Sequence, residues 1–465
     1  MAQLAKRAQT RANDLQSSIQ SLLGSQNVVW RSPGELTPYP RNARKHPDHQ
    51  LHAVMRNITQ NGWTNPILTD ETGTVLAGHC RLEAAKRLGL DRVPTLTLVG
   101  LSEAKKKAIV IADNRLAERA IWDFELLRGE FRSLIDFNVD VDLTGFSSAE
   151  VDIVLDGSPK PAQQDPADEF TISDEPAISR LGDLWQLGPH RILCGDALKA
   201  ESYHQLLDGD RAQMVVTDPP YNVRIYGHAR GRGKVFREFA MASGEMSDEQ
   251  FRKFLATGVE HAIAFSVDGS IHYWCMDWRH LRVLCDAAVP RYQEWKQLLV
   301  WNKSNGGQGS FYRSKHELIA VFKNGLAPHV NNFGLGSEGR YRTNVLDYPG
   351  GASLSPCRRE QQDLHPTVKP VSLVADLMRD CSKRTGIILD SFAGSGTVLL
   401  AAERSGRVAR AIEIDPLYVD TAIRRWEKLT GKRVVHADTG TSFEETRKRR
   451  TEPLPTRRTR KAVGD

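Results

Sequence analysis

Between Gly386 and Ile414 the chain runs strand, glycine turn, helix, strand and acid, and few folds accept that order. Gly386-Ile387-Ile388-Leu389-Asp390 is apolar enough for a buried strand, and Ser391-Phe392-Ala393-Gly394-Ser395-Gly396 then turns the chain. Thr397-Val398-Leu399-Leu400-Ala401-Ala402-Glu403 has a helical pattern, and a second apolar strand, Val408 to Ile414, carries Glu413 near its end. Glycines between a strand and a helix let the backbone approach a ligand and expose helix N-terminal amides. An acid about 20 residues beyond such a turn is placed to take ribose hydroxyls. The turn lacks the Gly-x-Gly-x-x-Gly fingerprint and the Gly-Lys-Ser/Thr of a P-loop, which favours a nucleoside without a tightly cradled polyphosphate. The expected fold class is α/β, a doubly wound, mixed, seven-strand-like sheet with helices on both faces.

Asp218-Pro219-Pro220-Tyr221 follows another apolar run, Met214-Val215-Val216, and belongs where a buried strand ends. Two prolines fix the backbone and remove two amide donors, while their carbonyls stay available as acceptors. With a carboxylate before them and an aromatic ring after, the segment is a rigid, donor-poor cradle. It suits an exocyclic amino group on a flat ring, as on a nucleobase.

The chain has 465 residues, 40% hydrophobic and 26% charged, with a formal net charge of +6. That is an ordinary globular composition with room for two to four domains, mildly basic and compatible with nucleic acid. The six cysteines, Cys80, Cys194, Cys275, Cys285, Cys357 and Cys381, show no zinc-ligand or redox spacing, so no metal is expected and reduced thiols are. No run is long and apolar enough to span a membrane, and the N-terminus lacks a secretory core, so a cytoplasmic protein is expected.

Along the chain, residues 1–25 read as a polar segment and 26–120 as a small α+β unit. In the latter, Asp70-Glu71-Thr72-Gly73 is a hairpin turn, and Gly78-His79-Cys80-Arg81 opens a helix that Gly89 closes. Residues 121–155 suggest two short helices, with no helix-turn-helix evident after Ala120. Residues 156–178, rich in Pro, Asp and Gln, read as a linker. A catalytic domain is expected over 179–435, with 325–363 as a candidate target-recognition region and 436–465 as a basic, disordered tail. His272-Tyr273-Trp274, Trp278, Trp295 and Trp301 read as packing residues.

Seven ordered pieces carry a resemblance: Leu193-Cys194-Gly195-Asp196, Asp218-Pro219-Pro220-Tyr221, Trp301-Asn302-Lys303, His316-Glu317, His365-Pro366-Thr367-Val368-Lys369-Pro370, Phe392-Ala393-Gly394-Ser395-Gly396 and Ile412-Glu413-Ile414-Asp415. From about Leu181 to Leu429 the chain resembles the DNA methyltransferases that methylate adenine N6 or cytosine N4 using S-adenosylmethionine. The order of the Asp-Pro-Pro-Tyr and glycine elements resembles the beta class. The resemblance implies a Rossmann-like sheet and double-stranded DNA as partner, and leaves monomer or homodimer open. It implies that Asp218, Pro219, Pro220 and Tyr221 hold a flipped-out base. The cofactor would be held by Phe392, Gly394 and Gly396 with their neighbours Asp390 and Thr397, by Glu413 at the ribose, by Asp196 at the adenine end, and by Thr367 and Lys369 completing the methionine pocket. Asp at position 218 tilts the reading to adenine, because the family's cytosine enzymes more often carry Ser there. RNA or protein-glutamine methylases usually carry Asn. Arg230 and Arg232 in a Gly/Arg-rich loop, and Arg340, Arg342 and Asn344, are candidate DNA contacts. With no nuclease motif evident, a solitary or phage-type modification enzyme is expected, bacterial or phage-encoded.

Asn42-Ala43-Arg44, Gly62-Trp63-Thr64-Asn65-Pro66-Ile67 and Gly78-His79-Cys80-Arg81-Leu82-Glu83-Ala84-Ala85 resemble the nucleotide-binding fold of ParB partition proteins and sulfiredoxin. His79 and Cys80 replace the Glu and Arg of the partition proteins, which argues against metal-assisted CTP binding or hydrolysis. Gly78, His79 and Arg81 remain a candidate phosphate site. A nucleotide-dependent DNA-binding or partition factor is the rival of another class.

Overall fold

The computed structural model describes residues 28–117, 121–156, 165–168, 170, 172, 175–223, 241–303, 306, 311–333, 341–350 and 368–451. The chain divides into two units at Leu155/Asp156.

In the first unit, β1 (Val29–Arg31), β2 (Thr37–Pro38), β3 (Ile67–Thr69), β4 (Thr74–Ala77) and β5 (Val93–Thr97) form one sheet in the order β1-β5-β3-β4-β2. The β3–β4 hairpin turns where expected. Asp70 Oδ1 accepts from the amides of Thr72 (3.0 Å) and Thr74 (2.8 Å), and Gly73 takes φ 83°. Ile67, Val75, Leu82, Ala85 and Val93 are buried together, so the helix His79–Leu88 packs its apolar face on the sheet. That helix begins at Gly78 (φ 97°) and ends at Gly89 (φ 67°), both in the left-handed region that glycine adopts without Cβ strain. The helices Phe124–Asp136 and Ser148–Asp156 follow, the first capped by Asp123, whose side chain accepts from the amides of Glu125 and Leu126.

The second unit is built on ten strands: β6 (Leu184–Leu187), β7 (His190–Cys194), β8 (Ala212–Thr217), β9 (Ser266–Met276), β10 (Glu294–Asn302), β11 (His316–Lys323), β12 (Val345–Asp347), β13 (Ile387–Asp390), β14 (Val408–Glu413) and β15 (Val435–His436). Their order is β12-β10-β11-β9-β8-β13-β14-β7-β6-β15. The central five, β9-β8-β13-β14-β7, are parallel. Neighbouring residues of the central strands enter different cores: Met214 and Ile388 one, Val215 and Leu389 the other. The sheet is thus buried on both faces, as its near-continuous apolar strands require. The doubly wound fold expected from the sequence is the fold found. It is wider than seven strands because short edge strands, too brief to show a period, extend it.

From β8 the chain moves one way across the sheet to β9, and from β13 the other way to β14. The crevice opens where β8 and β13 lie side by side, at the reversal where open α/β sheets bind ligands.

Two expected boundaries change. Residues 165–168 and 170, expected in the 156–178 linker, are pinned to this unit. Arg404 Nη2 donates to Asp165 (2.8 Å), the Val371 amide to Asp168 (2.8 Å), and Arg425 Nη2 to the Ala167 carbonyl (2.9 Å). Arg425 also lies 4.2 Å from the Phe170 ring centroid. The acids that suggest a solvated linker have partners in this unit: half-buried Arg404 and the amide of buried Val371. Of the expected tail, residues 436–451 are ordered, the helix Phe443–Thr451 being held by buried Phe443 and by Arg450 Nη2, which donates to Asp183 (3.1 Å), and 452–465 lie outside the described residues. Of the aromatics read as packing, Trp274 and Trp301 are buried, whereas Trp278 is 56% and Trp295 45% exposed.

Candidate active site

Strand ends place the chemistry. β8 delivers Asp218-Pro219-Pro220-Tyr221 beyond Thr217, and β13 delivers Asp390 beside it, with Thr217 Oγ1 donating to Asp390 Oδ1 at 2.8 Å. Burial pushes the Asp390 carboxyl up to about 7 against the hydrogen bonds from Phe392 N and Thr217. The glycine turn follows, and its two glycines do different work. At Gly396 (φ 80°) a Cβ would lie 2.4 Å from Ala422 Cβ, so this glycine lets the helix Pro416–Thr430 pack closely. At Gly394 (φ 51°) a Cβ would meet nothing within 4 Å, so this glycine faces open space. Glu413, at the end of β14, accepts from Gly394 N and Asp415 N, each at 2.8 Å. Burial raises its carboxyl to about 7 against these bonds.

One cavity of about 430 Å³ is lined both by Asp218, Pro219, Pro220 and Tyr221 and by Gly394 and Glu413. Phe392 and Thr397 also line it. Thr397 opens the helix Thr397–Ser405, whose N-cap Gly396 offers no side-chain cap. A left-handed glycine with open space above it, an acid and a helix N-terminus fit the sugar and the polar tail of a nucleoside cofactor. Asp196 is placed differently. Gly195 and Ala197 line the cavity, while the Asp196 carboxylate accepts from Leu198 N at 2.9 Å.

Lys369 departs most from expectation. Rather than serving only a methionine pocket, its ammonium lies 2.6 Å from Asp218 Oδ2, 2.8 Å from Glu317 Oε2 and 2.9 Å from Tyr221 Oη. Tyr221 Oη donates to Asp218 Oδ1 at 2.6 Å. Lys303 pairs with the other Glu317 oxygen. Two cations therefore balance two carboxylates in one cluster, in which Lys369 is 5% exposed and Asp218 keeps 28%. The carboxyls diverge. Burial would raise Glu317, but Lys369 and Lys303 outweigh it and hold it near 2. Asp218 is raised, because burial and the negative charge of Glu317 exceed what Lys369 returns. The Lys369 ammonium is held charged by both acids despite burial. Pairs pushed apart in this way are how active sites assign proton roles.

The sequence motifs contain Glu317 and Lys303 but assign neither a role. The available signal was an acid inside the otherwise apolar run His316-Glu317-Leu318-Ile319-Ala320-Val321-Phe322.

Arg230, Arg232, Arg340 and Thr367 lie outside the described residues. Arg342 is corrected. It is half-buried, with Nε donating to Asp380 (3.0 Å) and Nη1 3.5 Å from Asp376, an internal ion pair and not a free base reader. Asn344 is exposed beside β12. In the first unit, His79 Nε2 accepts from Tyr39 N at 3.3 Å, and burial lowers its pKa. Arg81 folds back toward the Pro66 carbonyl at 3.5 Å, and its Nη2 would stand 3.1 Å from a Cβ at Gly78. Among the described residues no cluster of side chains could hold a metal ion, and no helix is long and apolar enough to cross a membrane.

The family model described as DNA methylase matches residues 212–424, and that described as ParB-methyltransferase HTH domain matches residues 125–181. The second match corrects the reading that no helix-turn-helix lies beyond Ala120. The connection from Asp136 to Ser148 holds a 3-10 helix, Val141–Thr144, and is far longer than the usual turn of about three or four residues. Over 80 residues the chain is 45% identical to the ParB-like nuclease domain-containing protein YnaK of Escherichia coli (strain K12), covering 17% of this chain and 92% of that protein. It is 24% identical over 251 residues to the type II methyltransferase M.HpaI of Haemophilus parainfluenzae, covering 50% of this chain and 73% of that one. Among solved structures, the M1.HpyAVI-SAM complex is similar over 50% of this chain and 98% of its own, with 18% identity and a TM-score of 0.37.

Proposed function

The chain is a ParB-like module joined to a DNA methylase of the N6-adenine/N4-cytosine family, and from that premise we propose that it transfers a methyl group from S-adenosylmethionine to adenine N6 in double-stranded DNA. One observation carries the reading: the donor-poor Asp218-Pro219-Pro220-Tyr221 cradle and the Gly394–Glu413 pair line one cavity.

Bound S-adenosylmethionine supplies a sulfonium methyl, an activated electrophile. The difficulty lies with the acceptor, whose nitrogen lone pair is delocalised into the purine. Asp218 accepts one N6 hydrogen and the Pro219 carbonyl the other, drawing the nitrogen toward tetrahedral geometry and aiming its lone pair. Tyr221 flanks the base, a stacking contact worth roughly 1–3 kcal/mol. In-line alignment supplies much of the remaining acceleration. Asp218 need not be a strong base, since the N6 proton becomes acidic only as the new bond forms, and its raised pKa suits it to take that proton. Lys369 supports the same role by holding the carboxylate in place. Glu413 would take the ribose hydroxyls, and Gly394 would let the cofactor approach the backbone. The target atom is inaccessible within a duplex, so the base must be flipped out.

Asp at position 218 favours adenine over cytosine N4. Digestion of DNA from an expressing host to nucleosides tests this. N6-methyladenine is expected. N4-methylcytosine alone would overturn the choice of base, and neither product would overturn methyl transfer. For the ParB-like module we propose a DNA-holding role without nucleotide hydrolysis.

A further inference from the structure

β9 and β11 are antiparallel neighbours with Met276 opposite Leu318, so the residues after Met276 and those before His316 emerge side by side at the cavity end of the sheet. Both segments carry exposed aromatic and basic side chains. Trp278 is 56% exposed and lines the cavity, with the Arg279 guanidinium 5.0 Å from its ring centroid. Phe311 (88%) and Tyr312 (84%) are more exposed still and contact one another edge-on at 4.6 Å, while Arg313 and Lys315 beside them are also exposed. Ser314 and His316, from the same segment, line the cavity.

The first turn is built, not loose. Asp277 Oδ1 accepts from His280 N (3.0 Å) and pairs with the His280 ring (2.9 Å), which sits edge-on to buried Phe251 at 5.4 Å. An indole held out of the core on an anchored turn at the mouth of a cavity gains nothing from packing. Aromatic rings alternating with cations match a polyanion carrying flat, stackable rings. A nucleotide leaving a duplex opens a gap that aromatic side chains can fill.

We propose that Trp278-Arg279 and Phe311-Tyr312-Arg313 form a DNA-engaging rim whose rings stack on the bases around the flipped nucleotide and whose cations bind the flanking phosphates. The proposal rests on the methylation reading, and the test separates the two. The methylated site is first mapped by single-molecule sequencing of DNA from an expressing host. Full-length wild type, W278A, W278F and F311A/Y312A are then assayed on a short duplex carrying that site, and on the same duplex with an abasic position opposite the target. W278A and F311A/Y312A should each lose at least about ten-fold in kcat/KM on the paired duplex, mostly through KM, and less than about three-fold on the abasic one, where the base is already unpaired. W278F should retain most activity, and affinity for S-adenosylhomocysteine should be unchanged in all variants. Alanine variants within two-fold of wild type on the paired duplex, or equally impaired on both, would overturn the rim while leaving the methylase reading standing. A wild type that methylates neither duplex would overturn both.

Discussion

Lys369 Nζ stands 2.6 Å from Asp218 Oδ2, and the same ammonium is 2.8 Å from Glu317 Oε2. A buried cation shared by two acids fixes the position of the carboxylate that we propose meets the amino group. Removing one member of such a cluster leaves an uncompensated charge, at a cost of about 3–5 kcal/mol.

Replacing Lys369 by Met should therefore lower both stability and kcat. It should also move the acidic limb of the kcat/KM profile to higher pH by about one unit or more, since an opposite charge nearby lowers a carboxyl by about 1–3 units. A profile with an unmoved acidic limb would argue that Lys369 does not act through Asp218.

Asp218→Asn keeps the shape but loses one anionic acceptor. A lost hydrogen bond of this kind costs about 100- to 1,000-fold in kcat. Affinity for S-adenosylhomocysteine, measured by calorimetry, should change little. Appreciable turnover in this variant would contradict the assigned role.

Asp390 and Glu413 both sit near 7, above their ordinary values of 3.8 and 4.5. The folded protein thus binds more protons than the unfolded chain between those values and about 7. This contribution to stability is complete at low pH and is lost as pH rises through 7, by up to about 1.4 kcal/mol per pH unit for each group. Denaturant unfolding of the ligand-free protein from pH 5 to 8 should show that decline, and Asp390→Asn should flatten it. Cofactor affinity should run the other way, rising as Glu413 ionises to accept the ribose hydroxyls. Glu413→Ala should weaken the cofactor far more than DNA.

The two glycines of the turn should separate. Gly396→Ala drives a methyl into Ala422 and forces a left-handed alanine, which should destabilise the fold by roughly 2–4 kcal/mol. Gly394→Ala meets open space, so its strain is about 1–2 kcal/mol, and its main effect should be weaker S-adenosylhomocysteine binding. Equal stability losses would show that both glycines serve packing alone.

Removing residues 1–155 should spare methyl transfer. Removing 1–178 should not, because it strips Asp165 from Arg404, Asp168 from the Val371 amide and Phe170 from Arg425. Comparing the unfolding of the two shortened chains tests this clamp.

What the sequence revealed and what it hid follow from range. The turn between Ile387 and Glu413 is local, with a strand period, two glycines and a helical period in continuous order, so its architecture could be read directly. Lys369 and Asp218 are 151 positions apart, and nothing near either one announces the other. The acids at 165 and 168 resembled a linker because the groups that bind them lie more than 200 positions onward. Trp278 follows an apolar strand and so read as core, yet the strand stops two residues before it. β12 and β15, of three and two residues, are too short to carry a pattern.

The most direct measurement follows a labelled methyl group from S-adenosylmethionine into DNA with the purified full-length protein, comparing wild type with Asp218→Ala. If Asp218 positions the amino group for methyl transfer, label appears in N6-methyladenine with wild type and not with the variant, although both bind S-adenosylhomocysteine. Label appearing equally with both proteins would contradict it, as would wild type that binds S-adenosylhomocysteine yet labels no base.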